Sequence, residues 1–328
     1  MKELLKLVRW QNLLIVVLTM VLMRYAIIEP LISKVGIILL KGSGEEGPMT
    51  LQFSWFNFMI LIAATVCITA GGYIINDYFD IRTDLINRGK VIVGTKIPRR
   101  QAILWHSILN VAGVAAGFYI SWRAGYFWLG TIFLLVSGLL YFYSASYKRQ
   151  FLLGNLIVSV LTSMVPFVVV LFEWSALYRY YSVNAIVHPD LGFMFFWVGG
   201  FSLFAFLTTL IREIIKDTED FEGDTAYGRN TIPVIIGITA SKIVAISLII
   251  ITIVSLFLVW HFFVNDKITL VYISAAIVAP LIYVIYMLAV STDKALLHRA
   301  ATIMKIVMLA GILYSLLVKA IVTWNLVC

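Results

Sequence analysis

Nine long apolar segments dominate this chain and limit it to one class of fold. They cover about 12–34, 52–75, 102–121, 126–143, 152–173, 193–212, 241–264, 269–290 and 301–324. A helix needs about 20 apolar residues to cross the hydrocarbon core of a bilayer, and helices and closed barrels are the only spanning structures that satisfy every backbone polar group in lipid. The sequence therefore predicts an all-α fold, a polytopic membrane bundle of nine transmembrane helices.

The composition supports this prediction and excludes an ordinary soluble protein. Hydrophobic residues make up 62% of the 328 residues and charged residues only 13%, whereas soluble domains carry about 25% charged residues. The net charge of +8 does not indicate nucleic-acid binding, because the basic residues lie in short segments between the apolar ones. We expect a single transmembrane domain over 1–328, with no nucleic-acid ligand and no obligate protein partner.

The Lys and Arg residues divide unequally between the two sides of the predicted bundle. Seventeen lie in the N-terminus and alternate connections, and seven lie in the opposite connections and span ends. Positive charge is in excess on cytoplasmic loops, so we expect a cytoplasmic N-terminus, an outside C-terminus and a place in the cell (inner) membrane. Two cytoplasmic connections, 76–100 and 213–240, are longer than a turn requires, which is typical of functional loops.

Six of the nine aspartates fall into two groups with identical spacing, N-D-x-x-D-x-x-x-D and D-x-x-D-x-x-x-D. They are Asp77, Asp80, Asp84, Asp217, Asp220 and Asp224. Positions i, i+3 and i+7 share one face of a helix, so each group is expected to present three carboxylates together. The groups end the second and sixth spans, which both run from outside to inside, and this places both groups on the cytoplasmic side.

Three like charges on one face repel one another, so a bound cation would explain each group. Carboxylate oxygens suit Mg²⁺, which completes its shell with water and phosphate oxygens. Two such faces opposite each other would bind a Mg²⁺-chelated diphosphate from both sides. The alternative is that the groups are solvated helix ends, which is a weaker explanation for two groups of the same spacing.

Basic residues on the same side would neutralise a diphosphate leaving group as its C–O bond breaks. Lys148 is the strongest candidate because it lies at the cytoplasmic mouth, directly after 143–147. Arg212 and Arg88 are further candidates, with topology signalling as the alternative for each. Asn12, at the cytoplasmic start of the first span, contacts either a substrate or a neighbouring helix.

Arg24 lies about 17 Å further into the first span than Asn12, at a helical rise of 1.5 Å per residue. An ionisable side chain at that depth is a functional candidate by default. The Arg24 side chain could equally well extend to the outer membrane interface or pair with Glu29. The sequence leaves these alternatives open.

Together these motifs resemble those of the UbiA superfamily of intramembrane prenyltransferases. The segments 76–84 and 217–224 match the two aspartate motifs of that family, and 228–233 resembles its G-[KR]-x-T-[LI]-P segment. Arg9 and Asn12 match the R-x-x-N near the start of the family. The resemblance covers essentially the whole chain, including nine spans with both motifs on cytoplasmic loops.

One segment departs from the family pattern. Many members continue the first motif with N-R-P-x-R-P, whereas 87–92 reads N-R-G-K-V-I. The missing prolines leave the diphosphate roles of Arg88 and Lys90 open. They also weaken the resemblance to the branch that acts on aromatic quinone precursors.

The resemblance implies an enzyme that transfers an isoprenyl group from an allylic prenyl diphosphate to a lipophilic acceptor among membrane lipids, with Mg²⁺ as cofactor. The implied catalytic residues are Asp77, Asp80, Asp217, Asp220 and Lys148. The implied substrate-binding residues are Asn12, Asn76, Arg88, Tyr143 and Arg212. The implied metal ligands are the same four aspartates together with Asp84 and Asp224.

The stretch 212–224 resembles the branch of geranylgeranylglycerol-phosphate geranylgeranyltransferases, which implies geranylgeranyl diphosphate as donor and geranylgeranylglyceryl phosphate as acceptor. An aromatic acceptor, 4-hydroxybenzoate or another quinone precursor, is the alternative within the family. A membrane cation transporter and a phosphotransferase acting on lipid alcohols are alternatives from outside it. Transporters usually place coupling residues near the bilayer midplane, whereas these aspartates lie at the cytoplasmic edge.

Overall fold

A computed structural model describes residues 2–38, 46–88, 91–186, 190–290 and 292–324. Within those ranges, nine helices are long and apolar enough to cross a membrane, which confirms the predicted fold class. They are α2 (Trp10–Ile32), α3 (Trp55–Phe79), α5 (Arg99–Ala124), α6 (Phe127–Ala145), α7 (Leu153–Asn184), α8 (Gly192–Glu219), α11 (Ile238–Val264), α12 (Lys267–Val290) and α13 (Lys294–Trp324).

Short elements occupy the connections. The helices are α1 (Lys2–Leu7), α4 (Ile81–Arg88), α9 (Phe221–Ala226) and α10 (Ile232–Ile236). The strands β1 (Gly36–Ile38) and β2 (Glu46–Pro48) pair antiparallel, with Ile37 opposite Gly47. The structure does not describe the side chains of residues 38, 46, 87 and 88, and it does not describe residue 90. The roles expected for Arg88 and Lys90 therefore concern groups outside the described residues.

Local sequence signals explain where several spans begin and end. The Ser54 hydroxyl accepts a hydrogen bond from the Asn57 N–H at the start of α3, and the Asp266 carboxylate accepts one from the Thr269 N–H at the start of α12. Both are N-caps that satisfy a free donor of the first turn. Gly125 ends α5 in the left-handed conformation that glycine adopts without steric cost.

Of the three apolar cores among the described residues, two include residues of α8. Its N-terminal half contributes Met194 and Val198 to a core shared with α2, α3 and α7. Its C-terminal half contributes Ile211 and Ile214 to a core shared with α11, α12 and α13. Since α8 carries the second aspartate group at its end, packing on both sides holds that group in place.

The structure corrects the predicted extent of the sixth span and its loop. The expected loop 213–240 begins as helix, because α8 continues to Glu219. Ile214, Ile215 and Thr218 remain buried along this extension. Apolar contacts on one face thus maintain the helix through a polar stretch that would otherwise look like a loop.

The single helical face predicted for each aspartate group is also wrong. Asp80 ends α3 with φ −92° and ψ 1°, and Asp220 ends α8 with φ −90° and ψ 9°. The chain turns at these residues, so that Asp84 lies on α4 and Asp224 on α9. Each motif is therefore a helix end, a turn and the start of a second helix.

Arg24 pairs with a residue that the sequence did not single out. Its Nε lies 2.5 Å from Glu173 Oε1, and both side chains are buried. A second guanidinium nitrogen donates to the Phe53 carbonyl, and the guanidinium lies 4.4 Å from the ring centre of Phe58. Pairing with Glu29 and extension to the interface are therefore both wrong for Arg24.

Candidate active site

A cavity of about 360 Å³ lies between the spans and changes character along its length. Its polar end is lined by Asp80, Asp84, Asp217, Asp220 and Asp224. Its inner walls are apolar and include Leu161, Val165, Phe201 and Leu309. Of the residues expected from the sequence, Asn12, Asn76, Tyr143, Lys148 and Arg212 also line it. The two aspartate motifs, more than 130 positions apart in the chain, thus meet around one space.

Asp80 is the centre of the polar end. Lys148 Nζ lies 2.8 Å from Asp80 Oδ2 and donates to Asn76 Oδ1 at 3.1 Å. Arg229 approaches from the other side, with a nitrogen 2.6 Å from Asp80 Oδ1 and another 3.3 Å from Asp224 Oδ1. Arg229 thereby joins the two aspartate motifs directly.

These contacts set the charge of the polar end. Burial raises the pKa of Asp80, but Lys148 and Arg229 together lower it by more, so it lies below its ordinary value. Burial lowers the pKa of Lys148 to about 8, although Asp80 acts in the opposite sense. Burial raises the pKa of Asp224 to about 6, against the effect of Arg229. Asp80 is therefore ionised at neutral pH, because its pKa lies below an ordinary value that is already acidic.

Gly154 places the turn that carries Lys148. A Cβ at Gly154 would lie 2.6 Å from Lys148 Cα and 3.1 Å from the Tyr147 carbonyl oxygen. Only glycine allows the start of α7 to approach this backbone so closely.

We expect Gly154→Ala to displace Lys148 and to lower kcat/KM for a prenyl diphosphate about 10- to 100-fold, because small displacements of a positioned charge are costly. Gly138→Ala is the matched control, since a Cβ there meets nothing within 4 Å. Steady-state kinetics of the two purified variants would test the expectation. Equal activity in both would contradict the role of Gly154.

Asp77 is the exception within the first motif, because it does not line the cavity. Its Oδ1 lies 2.8 Å from an Arg9 guanidinium nitrogen. Arg9 stands between α1 and α2 with φ 52° and ψ 54°, and its guanidinium lies 5.0 Å from the ring centre of Tyr73. Asn12 donates to the Tyr73 hydroxyl at 3.3 Å, so it contacts a neighbouring helix and lines the cavity as well.

Two residues that contact the second motif or its neighbours, Asn155 and Glu213, were not among the site residues predicted from the sequence. Asn155 Nδ2 donates to Asp217 Oδ2 at 2.7 Å. Glu213 lies 2.6 Å from Arg212 and 3.7 Å from Lys216. Asn155 had a detectable signal, because it is a polar residue inside the apolar run of the fifth span.

The donor set suits a hard divalent cation. The described part of the chain contains no group of three His, Cys, Asp or Glu side chains already close enough to hold a metal ion, and Asp80 and Asp224 face side-chain cations instead. Five aspartate carboxylates around one cavity nevertheless form an oxygen-rich ligand set, which fits Mg²⁺ better than a softer metal.

Comparison with known proteins shows the family to which the chain is related. Residues 49–309 match the UbiA prenyltransferase family. Over 260 residues the chain is 30% identical to digeranylgeranylglyceryl phosphate synthase from Methanosphaera stadtmanae, covering 77% of this chain and 85% of that one.

Two solved structures share the fold. One is described as giving structural and mechanistic insights into digeranylgeranylglyceryl phosphate synthase in membranes; it has a TM-score of 0.59 and 22% identity, over 96% of this chain and 98% of the other. The second is a UbiA homologue from Archaeoglobus fulgidus bound to DMAPP and Mg²⁺, with a TM-score of 0.52 and 17% identity, over 96% and 99%.

Proposed function

Because the chain belongs to the UbiA prenyltransferase family, we propose that it transfers a geranylgeranyl group from geranylgeranyl diphosphate to geranylgeranylglyceryl phosphate, forming a digeranylgeranylglyceryl phosphate-type ether lipid. One observation carries the proposal. A polar end with carboxylates and cations continues into an apolar interior within one cavity, as a substrate with a diphosphate head and a long isoprenyl tail requires. The similarity to a digeranylgeranylglyceryl phosphate synthase supports the choice of acceptor.

The cavity aspartates Asp80, Asp84, Asp217, Asp220 and Asp224 are the proposed metal ligands. Mg²⁺ bound there would neutralise the diphosphate and favour its departure. The Mg²⁺ and DMAPP held by the homologue of the same fold support this assignment. Asp77 is proposed to act through Arg9, which it contacts.

The other proposed residues bind the diphosphate or exclude water from the reacting carbon. Lys148 and Arg229 are proposed to stabilise the departing diphosphate, since both carry positive charge at the polar end. As the C–O bond to diphosphate breaks, its electron pair leaves with the diphosphate and an allylic cation forms. The acceptor hydroxyl supplies the oxygen of the new C–O bond, and its proton passes to the departing diphosphate. Tyr143, Phe201 and the apolar walls would keep competing water away from that cation.

The test is a product assay with the purified protein in lipid. Labelled geranylgeranyl, farnesyl and geranyl diphosphates are offered with geranylgeranylglyceryl phosphate, with 4-hydroxybenzoate and with Mg²⁺, and products are identified by mass. We expect the ether lipid that carries a newly transferred C20 chain. We also expect its formation to stop when Mg²⁺ is chelated. A product formed only with the aromatic acceptor would refute the proposed acceptor.

We also propose that the polar end of the cavity faces the cytoplasm and that the protein lies in the cell membrane. The excess of Lys and Arg in the connections on that side supports this orientation. Sealed inside-out vesicles should use an externally added diphosphate, because the diphosphate cannot cross the bilayer. Activity only in right-side-out vesicles would reverse the orientation.

The inner end of the cavity should set the preferred prenyl length. A Cβ at Gly311 would overlap the ring of Phe204, and both residues line the cavity. We expect Gly311→Ala to displace that ring and to lower the use of the C20 donor relative to the C10 donor about 10-fold, because the cavity is tightly packed there.

Gly117→Ala is the matched control. It creates a similar overlap with Phe133, but neither residue lines the cavity. Competition between C10 and C20 donors measures the preference. An equal change in both variants would show that the effect is general destabilisation.

A further inference from the structure

Three basic side chains of the cavity lie apart from the cations that face Asp80. Arg212 and Lys216 are on α8, and Lys305 is on α13, the last span. All three line the cavity. Lys305 is the least expected of them, because an ammonium group within a spanning helix is costly unless it has a partner or a function.

Two contacts fix how α8 and α13 lie against each other. Near the ends, His298 Nδ1 lies 2.9 Å from Glu219 Oε1. Deeper in the bundle, Gly311 packs against Phe204. Residue numbers fall along α8 as they rise along α13, so the two helices are antiparallel.

Arg212 and Lys305 therefore lie at the same level. Arg212 is seven residues before Glu219, and Lys305 is seven residues after His298. Seven residues are two helical turns, about 10 Å, and return to the same face. Both side chains line the same cavity from adjacent helices.

The charges in this group do not cancel. Glu213 lies 2.6 Å from Arg212 and 3.7 Å from Lys216. The described residues record no ion pair of Lys305, and Arg212 Nε is buried without a hydrogen-bond partner among them. Glu213 thus serves two of the three cations, and these four side chains together carry a net positive charge.

We propose that Arg212, Lys216 and Lys305 form a second anion site, which binds the phosphate monoester of the lipid acceptor while the diphosphate occupies the aspartate end. This inference rests on the proposed function. An acceptor phosphate carries about two negative charges near neutral pH, so this positive group would attract it. A second anion in a cavity lined by carboxylates needs cations of its own, and Lys148 and Arg229 already face Asp80.

The position of Lys305 fits an acceptor that arrives from the bilayer. Its side chain is exposed as well as lining the cavity, so the group lies where the cavity meets the surface of the bundle. The head of a lipid that approaches from the side would meet this ammonium early, and its tails would stay among apolar helices.

Lys305→Gln tests the inference. We expect KM for geranylgeranylglyceryl phosphate to rise roughly 10- to 100-fold, as for loss of one charge-assisted hydrogen bond, while KM for geranylgeranyl diphosphate stays within about twofold. Lys305→Arg should restore most of the affinity. Lys319→Gln is the matched control, because Lys319 is on the same helix, outside the cavity lining, and contacts Glu29 and the Tyr25 carbonyl.

A binding measurement separates this inference from the proposed function. Calorimetry without diphosphate should show that wild-type protein prefers the lipid phosphate to the corresponding lipid alcohol and to inorganic phosphate, and that Lys305→Gln removes the preference over the alcohol. An unchanged preference in the variant overturns the second anion site even if wild type makes the ether lipid. Equal binding of inorganic phosphate and lipid phosphate overturns the lipid as its ligand. Failure of wild type to prenylate the acceptor refutes the proposed function.

Discussion

Asp217→Asn is expected to lower the rate of prenyl transfer by at least about 10²- to 10³-fold while leaving the protein folded. Asp217 lines the cavity and accepts a hydrogen bond from Asn155 at 2.7 Å. Asparagine has nearly the same shape but lacks the negative charge that a metal–diphosphate complex requires, and groups that stabilise developing charge contribute on this scale. Initial rates with labelled diphosphate, at several Mg²⁺ concentrations, measure the effect.

Asp190→Asn is the control for this prediction. Asp190 lies just before the opposite end of α8, is exposed, and accepts a hydrogen bond from the Gly192 N–H. The same change there should leave activity within about twofold. Circular dichroism and thermal midpoints establish that both variants are folded. A folded Asp217→Asn protein with more than a tenth of wild-type activity would remove Asp217 from the proposed metal ligands.

Glu173→Leu is expected to lower the free energy of unfolding by about 3–5 kcal/mol, because it leaves a buried guanidinium without its carboxylate. Glu173 is fully buried and lies 2.5 Å from Arg24, which is 2% exposed. The Phe53 carbonyl and the Phe58 ring remain as partners of Arg24 and replace only part of the lost interaction. Unfolding in mixed micelles with increasing denaturing detergent measures the difference.

The double variant Arg24→Met/Glu173→Leu should recover most of that loss, since two apolar side chains can replace a buried ion pair at little cost. Lys319→Met is the control for a pair near the surface. Lys319 lies 4.0 Å from Glu29, and both side chains are substantially exposed, so a change below about 1 kcal/mol is expected. If the double variant is as unstable as Glu173→Leu alone, the pair does not act as a unit.

The spans could be predicted from sequence more readily than the helix ends. Burial in lipid imposes a length and an apolar composition on each span, and the local residues display both. The continuation of α8 to Glu219 depends instead on Ile214 and Ile215 packing against α11, α12 and α13. The apolar pair 214 and 215 continues the helical spacing of 210 and 211, but the helices against which it packs are not a local property of the sequence.

The aspartate spacing illustrates the same division. It predicted two groups of acidic residues that converge on one cavity, and the structure brings five of the six there. It also predicted one helical face for each group, which is wrong because the chain turns at Asp80 and Asp220. Asp77 does not line the cavity and pairs with Arg9, which does.

By itself, the sequence determined the membrane bundle, the family and the carboxylate chemistry of the site, because each depends on the types of residues and their spacing along the chain. The tertiary structure alone decided the partners. Arg229 joins Asp80 to Asp224, Arg24 pairs with Glu173, and Lys305 lines the cavity at the level of Arg212. These contacts link residues far apart in sequence, and helix packing rather than local periodicity sets which of them meet.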